Sequence, residues 1–187
     1  MLAGGRKVES YYYTRAEKKK FNRYSDSSIK MIDRDVAKVE LAMDSVIRED
    51  QRLHQLMRIV TSVPRVGKVI ATEMIIHTNE FKSIQTAKKF ASYSGIAPFA
   101  WNSGTSVRGK TRVSETANKE LKALLHMASM GSLRNKKSFL AMYYERKVKE
   151  GKNKMSVLNA IRNKIVHRIY SCVKNNKFFI ERYGIRG

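Results

Sequence analysis

The stretch IKMIDRDVAKVELAMDSVIREDQRLHQLMRIV, residues 29–60, decides the fold of the first third of the chain. Steps that alternate between three and four residues from Ile29 meet an apolar side chain at nine of ten positions. The apolar positions are Ile29, Ile32, Val36, Val39, Met43, Val46, Leu53, Met57 and Val60, and Asp50 is the exception. This spacing is that of a coiled-coil seam, and residues of both charges fill the outer positions. We therefore predict one coiled-coil helix over residues 26–60.

The seam predicts self-association of the chain through residues 29–60. β-Branched Val39 and Val46 share one row of the seam, while Met43 and Asp50 share the other. This arrangement does not favour a parallel dimer, so we expect a homo-oligomer with antiparallel or higher-order pairing. A long helix that packs on its own domain is the alternative.

The charge of the chain is very uneven outside this neutral stretch. The 187 residues carry a formal net charge of +22, of which residues 61–187 contribute +18 and residues 26–60 contribute −1. Such an excess favours a polyanionic partner, with DNA as the first candidate. Residues 1–25 contribute the remaining +5 and show no apolar periodicity, so we expect a basic arm or linker there.

Other sequence features argue against a membrane protein. The chain has no run of 18 apolar residues and no apolar signal-like stretch at residues 1–10, so no membrane partner is expected. Its single cysteine, Cys172, excludes an internal disulfide and fits a reducing cytoplasm.

Residues 61–180 predict a helical domain, which makes the fold class mainly α. Apolar residues at helical spacing predict helices around residues 121–128 and 157–173. Ser83 is the predicted N-cap of a further helix that ends at Gly95. The predicted architecture is a long coiled-coil helix followed by a helical domain with a helix-hairpin-helix-like element and one irregular basic loop.

The stretch VPRVG, residues 63–67, resembles the hairpin of a helix-hairpin-helix element. In such a turn, backbone N–H groups at a helix N-terminus, here near Gly67 and Lys68, bind a DNA phosphate without reading sequence. The usual pattern has glycine where this chain has Arg65, which adds a cation but removes backbone freedom. A simple helix-packing turn is the alternative.

The stretch NSGTSVRGKTR, residues 102–112, is the predicted irregular basic loop. Arg108, Lys110 and Arg112 alternate with other residues, so an extended backbone would place all three cations on one side. Ser103 and Ser106 lie within reach of whatever these cations bind. A flexible solvated loop is the alternative to a phosphate-binding loop.

The sequence predicts no metal site. After Asp50 the chain contains no aspartate, and its seven glutamates are scattered, whereas a two-metal nuclease site needs clustered carboxylates. The four histidines have no metal-ligand spacing with one another or with Cys172. We therefore expect no cofactor bound to these residues.

Several motifs in a fixed order carry a family resemblance. They are VPRVG at 63–67, FASYSGIAP at 90–98, Ser103 with Gly104 and the basic residues that follow them, NKELKALLH at 118–126, and the stretch at 143–161. Together they closely resemble the C-terminal half of transposases of the insertion-sequence 110 family, also called the 116 and 902 type. The resemblance covers about residues 27–175.

The resemblance implies a recombinase with two parts. Family members are similar in having an RNase H-like domain with four metal-binding acids, a coiled coil, and a C-terminal domain with a nucleophilic serine. They resemble one another in acting as oligomers with a structured guide RNA that pairs with DNA. Ser103 matches the serine nucleophile, and Ser106 is the alternative.

This resemblance and the charge pattern together predict which other residues contact nucleic acid. The basic residues of the loop would steady the phosphate charge at the nucleophile. The full set of expected nucleic-acid contacts is Arg65, Gly67, Lys68, Ser106, Arg108, Lys110, Arg112 and Lys119.

The chain departs from the family in lacking the acidic metal-binding domain. Mg²⁺ is expected only together with that domain, and no base for Ser103 is apparent. We expect a truncated copy or fragment that binds DNA with little strand-transfer activity, so whether it is an enzyme stays open. The expected location is the bacterial cytoplasm, at the nucleoid.

Two other functions fit parts of the sequence. The first is a stand-alone basic helix-hairpin-helix module that binds DNA or RNA. The second is a ribosome-associated basic protein, which gives no reason for the coiled coil.

Overall fold

A computed structural model describes residues 14–97, 102–103, 107–108 and 117–181 of the chain. The chain divides into two units, Met1–Asp50 and Gln51–Gly187. The described residues form seven helices and one pair of short strands. The prediction of a mainly α fold is confirmed.

The first unit contains one long helix, α1 (Arg15–Glu49). A capping box starts it: the Thr14 hydroxyl accepts from the Glu17 amide at 3.3 Å, and the Glu17 carboxylate accepts from the Thr14 amide at 2.8 Å. The helix thus begins inside the segment that we predicted as a basic arm, so its boundary moves from residue 26 to Arg15.

The long helix ends at the polar position in the seam. Asp50 has an extended backbone with φ −90° and ψ 106°, and its amide donates to the Val46 carbonyl at 3.3 Å. Aspartate is a poor residue inside a helix and a favoured one at the N-terminus of a helix, and Asp50 directly precedes the next helix, which starts at Gln51. The predicted continuous helix over residues 26–60 is therefore interrupted.

A second helix, α2 (Gln51–Thr61), contains the rest of the predicted seam and belongs to the second unit. Its Leu56, Ile59 and Val60 are buried in the core of that unit. Val36 and Val39, on α1, are 51% and 59% exposed. The expectation of association through residues 29–60 therefore narrows to the part of the seam on α1. The division into arm, coiled coil and helical domain otherwise stays a prediction.

The second unit is built around its last helix. After α2 come α3 (Lys68–His77), α4 (Ala87–Tyr93), β1 (Asn102–Ser103), β2 (Val107–Arg108), α5 (Lys119–Ser132), α6 (Phe139–Lys149) and α7 (Lys154–Lys174). Helix α7 packs against α2, α4, α5 and α6, while α3 packs against α2 and α5. Ile161, Ile165 and Ile169 of α7 are fully buried, as their helical spacing predicted.

Polar caps set where the short helices begin. The Thr86 hydroxyl accepts from the Lys89 amide and caps α4, whereas the predicted cap, Ser83, donates its hydroxyl to the Thr78 carbonyl at 2.7 Å. The start of α4 therefore moves to Ala87. The amide oxygen of Asn118 caps α5 by accepting from the Leu121 amide at 2.9 Å.

Candidate nucleic-acid interface

The turn between α2 and α3 contains a left-handed backbone position that glycine usually occupies, and here arginine occupies it. Val63 and Val66 are buried, and the Val66 amide donates to the Val63 carbonyl at 3.0 Å. Between them Arg65 has φ +68°, a left-handed conformation that glycine adopts freely and other L-residues adopt at a cost. The sequence departure at residue 65 thus changes the side chain and keeps the turn.

The side chain of Arg65 lies over Gly131 of α5. A Cβ atom placed on Gly131 would lie 3.6 Å from the Cδ atom of Arg65, so the arginine stem passes over α5 at this point. The Arg65 residue is exposed. The turn therefore presents a cation at the surface beside the end of α5.

The turn leads into a helix N-terminus with no side-chain cap. Gly67 is the N-cap of α3, and glycine has no side chain with which to cap the first amides. The first N–H groups of a helix have no partner inside the helix and carry a partial positive charge. Lys68, the first residue of α3, is exposed at the same place. This arrangement suits a phosphate group.

The predicted nucleic-acid residues fall into two groups. The Arg65 stem lies over Gly131 in the last turn of α5, whereas Asn118 at the start of α5 contacts His77 in the last turn of α3. Helices α3 and α5 are thus antiparallel, and Lys119 lies at the far end of α3 from Lys68. Ten residues of α3 span about 15 Å. The structure does not bring Lys119 together with the turn.

The predicted irregular basic loop, residues 102–112, carries Ser103 and Ser106 and is called the serine-bearing loop below. The structure describes it only in part. Its two short strands pair antiparallel, with Asn102 opposite Arg108 and Ser103 opposite Val107. Ser106, Lys110 and Arg112 lie outside the described residues, as do the side chains of Ser103 and Arg108. Their predicted roles stay predictions.

Both ends of this loop are tied to the helical core. The Asn118 amide donates to the Tyr93 carbonyl at 2.9 Å, which joins the start of α5 to the end of α4. On the other side, the side-chain amide of Asn159 on α7 donates to the Ile96 carbonyl at 2.8 Å. The chain therefore leaves and re-enters the core beside α4 and α7.

A histidine cluster lies where the end of α3 meets the end of α4 and the start of α5. It consists of Glu73, His77, Tyr93 and Asn118. His77 Nδ1 is 3.0 Å from the Tyr93 hydroxyl, and its Nε2 is 3.2 Å from the Asn118 amide nitrogen and 3.3 Å from a Glu73 carboxylate oxygen. With its proton on Nδ1, His77 donates to the Tyr93 hydroxyl and accepts from the Asn118 amide with Nε2, whereas with its proton on Nε2 it donates to Glu73 and accepts from the Tyr93 hydroxyl. Sequence reasoning missed this cluster because only Glu73 and His77 are close along the chain.

An arginine cluster, His126, Asn159 and Arg162, joins α5 to α7. One terminal nitrogen of Arg162 donates to the Asn159 side-chain oxygen at 3.3 Å, and the other donates to His126 Nδ1 at 3.0 Å. Arg162 is only 6% exposed, and its Nε has no hydrogen-bond partner. Burial lowers the pKa of Arg162, yet a guanidinium stays protonated in proteins.

Arg162 has no anionic partner. No carboxylate that the structure describes lies within ion-pair distance of its guanidinium, and burial is the sole cause of its pKa shift. Nor do any three His, Cys, Asp or Glu residues in the described ranges gather as a metal site would require. Within the same ranges, no helix is both long and apolar enough to cross a bilayer.

Comparison with known proteins confirms the family resemblance. Residues 57–145, which contain the Arg65 turn and the serine-bearing loop, match the sequence model of the "Transposase IS116/IS110/IS902 family". The chain is similar to the "Pilin gene-inverting protein" of Moraxella bovis, with 23% identity over 159 residues, which are 85% of this chain and 49% of that protein.

Two further relatives agree. The "Pilin gene-inverting protein" of Moraxella lacunata gives 23% identity over 85% of this chain and 49% of its own length. The "Insertion element IS110 uncharacterized 43.6 kDa protein" of Streptomyces coelicolor gives 26% identity over 75% of this chain and 34% of its own length. The chain thus spans half or less of the length of these curated relatives.

Replacement of Arg65 tests the turn geometry. Arg65→Gly relieves the left-handed strain, so we expect its free energy of unfolding in urea to stay within about 0.5 kcal/mol of the parent chain or to rise. Arg65→Val places a β-branched residue at φ +68° and should lower that free energy by about 1–2 kcal/mol. Equal stability of the two variants would show that residue 65 is not left-handed in solution.

Proposed function

We propose that the chain is the DNA-binding C-terminal portion of an insertion-sequence transposase, which acts in DNA transposition and recombination through a serine nucleophile. The observation that carries this proposal is the family match over residues 57–145, which includes Ser103. DNA is the proposed partner, and a structured guide RNA is the proposed second nucleic acid. In a bacterium the protein would act in the cytoplasm at the nucleoid.

The binding surface has two proposed contact regions on the second unit. Arg65, Gly67 and Lys68 form the first, at the open N-terminus of α3. The basic loop and Lys119 form the second, at the other end of α3, about 15 Å away. DNA rises about 3.4 Å per nucleotide of one strand, so the two ends of α3 would be about four or five nucleotides apart along bound DNA.

Ser103 is the proposed nucleophile at the second region. Its hydroxyl oxygen would attack a DNA phosphorus atom and expel one ester oxygen, which leaves as a hydroxyl group when it takes a proton. The resulting phosphoserine would conserve the bond energy for rejoining. Arg108, Lys110 and Arg112 are the proposed partners of the charge that builds up on the phosphate oxygens.

We propose that a polypeptide of these 187 residues binds DNA without cutting it. No aspartate follows Asp50, and a metal-activated nucleophile needs clustered carboxylates to hold Mg²⁺. The RNase H-like domain of the family would supply those carboxylates and the metal ions.

A stand-alone helix-hairpin-helix module is the second candidate function. The left-handed residue at 65 and the uncapped N-terminus of α3 favour it, because both suit a phosphate clamp without any chemistry. The two functions share DNA binding and differ in the role of Ser103.

DNA binding should depend steeply on salt. Neutralisation of about four phosphates gives a slope near −3.6 for log affinity against log salt, so duplex affinity should fall roughly 100-fold between about 50 and 200 mM salt. Arg65→Gly should reduce the slope by about 0.9, whereas Lys38→Ala on α1 should leave it unchanged. Fluorescence anisotropy measures the affinity, and a flat salt response contradicts the electrostatic proposal.

Covalent capture separates the transposase portion from the stand-alone module. With branched or supercoiled DNA and Mg²⁺, we expect no protein–DNA adduct on denaturing gels from these 187 residues alone. After addition of an RNase H-like domain from a family member, adducts should form, disappear in Ser103→Ala and persist in Ser106→Ala. Adducts from the 187 residues alone contradict inactivity, and adducts that survive Ser103→Ala contradict the nucleophile.

We also propose that α1 associates with a second copy of itself. Its seam residues are more than one-third exposed, and burial of such a row against a partner helix is the usual way to stabilise it. The mass measured by light scattering should therefore exceed that of one chain.

Matched substitutions on α1 test this association. Val36→Glu and Val39→Glu place charges in the seam and should shift the measured mass toward one chain. Ala37→Glu and Ser45→Glu place the same charge outside the seam and should leave the mass unchanged. A monomeric parent chain, or equal effects of both pairs, would refute the seam as the contact.

A further inference from the structure

We propose that Arg162 is an anion-binding residue that takes a phosphate group of the nucleic-acid backbone at the base of the serine-bearing loop. The nature of the anion rests on the proposed function. The site itself rests on the arginine cluster that α5 and α7 build from His126, Asn159 and Arg162.

The first argument is the burial of an unpaired cation. Arg162 is 94% buried, and no described carboxylate faces it. Removal of a charge from water is costly, so buried arginines are ordinarily paired with a carboxylate or another anion. In the free protein this cost is only partly offset by two neutral acceptors, His126 and Asn159. A bound anion would supply the missing partner.

The second argument is the geometry of the remaining donors. A guanidinium has five N–H groups, and hydrogen bonds to Asn159 and His126 use one on each terminal nitrogen. The Nε–H has no acceptor in the described part of the fold. With a terminal N–H beside it, Nε–H has the planar arrangement that suits two oxygens of a phosphate, and an anion would have to displace the groups that now cover this buried nitrogen.

The third argument is the rigidity of the guanidinium. Asn159 and His126 lie on different helices, and each holds a different terminal nitrogen of Arg162. A guanidinium can only donate, so His126 accepts through Nδ1, and neither His126 nor Asn159 carries a negative charge. A fork fixed in this way loses little entropy when it binds its ligand.

The fourth argument is position. The same Asn159 that accepts from Arg162 donates to the Ile96 carbonyl, two residues before the serine-bearing segment 98–116. A phosphate on Arg162 would therefore lie where this segment leaves the helical core. The charge pattern does not single out this residue, because its contact with His126 joins positions 36 apart in the chain.

Arg162→Met is the main test, because methionine fills a similar volume without charge or donors. The free variant should have a Tm equal to or above that of the parent chain, since a buried unpaired charge is removed. Inorganic phosphate should raise the Tm of the parent chain and leave that of the variant unchanged. Affinity for DNA should fall about tenfold, with a salt slope smaller by about 0.9.

Two controls make the result specific. Arg134→Met removes the same charge from an exposed position and should keep the phosphate response of the parent chain. Arg162→Lys keeps the charge and loses the fork, so its phosphate response should be weaker than that of the parent chain. If Arg162→Met does not fold, the comparison of Arg162→Lys with the parent chain decides the proposal.

The outcomes separate this proposal from the proposed function. If the parent chain binds no DNA, the proposed function fails, and the phosphate response of Arg162 still decides the anion site. If the parent chain binds DNA but phosphate shifts the Tm of parent and Arg162→Met equally, the anion site alone is overturned. A lower Tm for Arg162→Met with unchanged DNA affinity shows a structural role and also overturns it.

Discussion

Burial of the apolar face of α7 is the interaction on which the second unit depends. Ile161, Ile165 and Ile169 are fully buried where α2, α4, α5 and α6 meet this helix. Each such side chain contributes about 1.5–3 kcal/mol when it leaves water. The same helix positions polar groups along its length. Near its C-terminal end, the Tyr170 hydroxyl donates to the Ile84 carbonyl at 2.9 Å, and burial raises the pKa of that hydroxyl. One helix therefore stabilises the core and orients the loops around it.

The sequence predicted correctly where apolar periodicity forms a helix. It predicted less well where a helix begins or ends, because single polar residues set those positions. The apolar spacing of α7 is regular because one face meets the core at every turn. The start of α1 depends on Thr14 and Glu17, a capping box that lies within a basic segment without apolar periodicity. Its end depends on Asp50, which looked like a tolerated exception in an otherwise regular seam. Caps are local hydrogen bonds, and apolar periodicity contains no information about them.

The candidate interface was predictable only in its local part. The turn at residues 63–67 could be predicted from its local sequence. The structure adds that Arg65 has the left-handed backbone conformation that glycine usually adopts at this position. The two clusters around His77 and Arg162 could not be found in this way. His77 and Asn118 are 41 residues apart, and His126 and Arg162 are 36 apart, so no short motif contains either pair. They come together only because α3, α5 and α7 pack side by side. The comparisons confirm the family resemblance, and the fold supplies these contacts.

The paired ends of the serine-bearing loop have a consequence for how such a protein diversifies. Because Asn118 is bonded to the Tyr93 carbonyl, the chain between them forms a closed excursion from the core. The entropy of closing a flexible loop grows only with the logarithm of its length, and a doubling costs about 0.6 kcal/mol. Insertions and deletions between Ala97 and Asn118, which follow the buried Ile96, would thus leave the stability of the helical unit nearly unchanged. Selection would then be free to alter the reach and charge of this segment, one lineage at a time, on an unchanged helical scaffold.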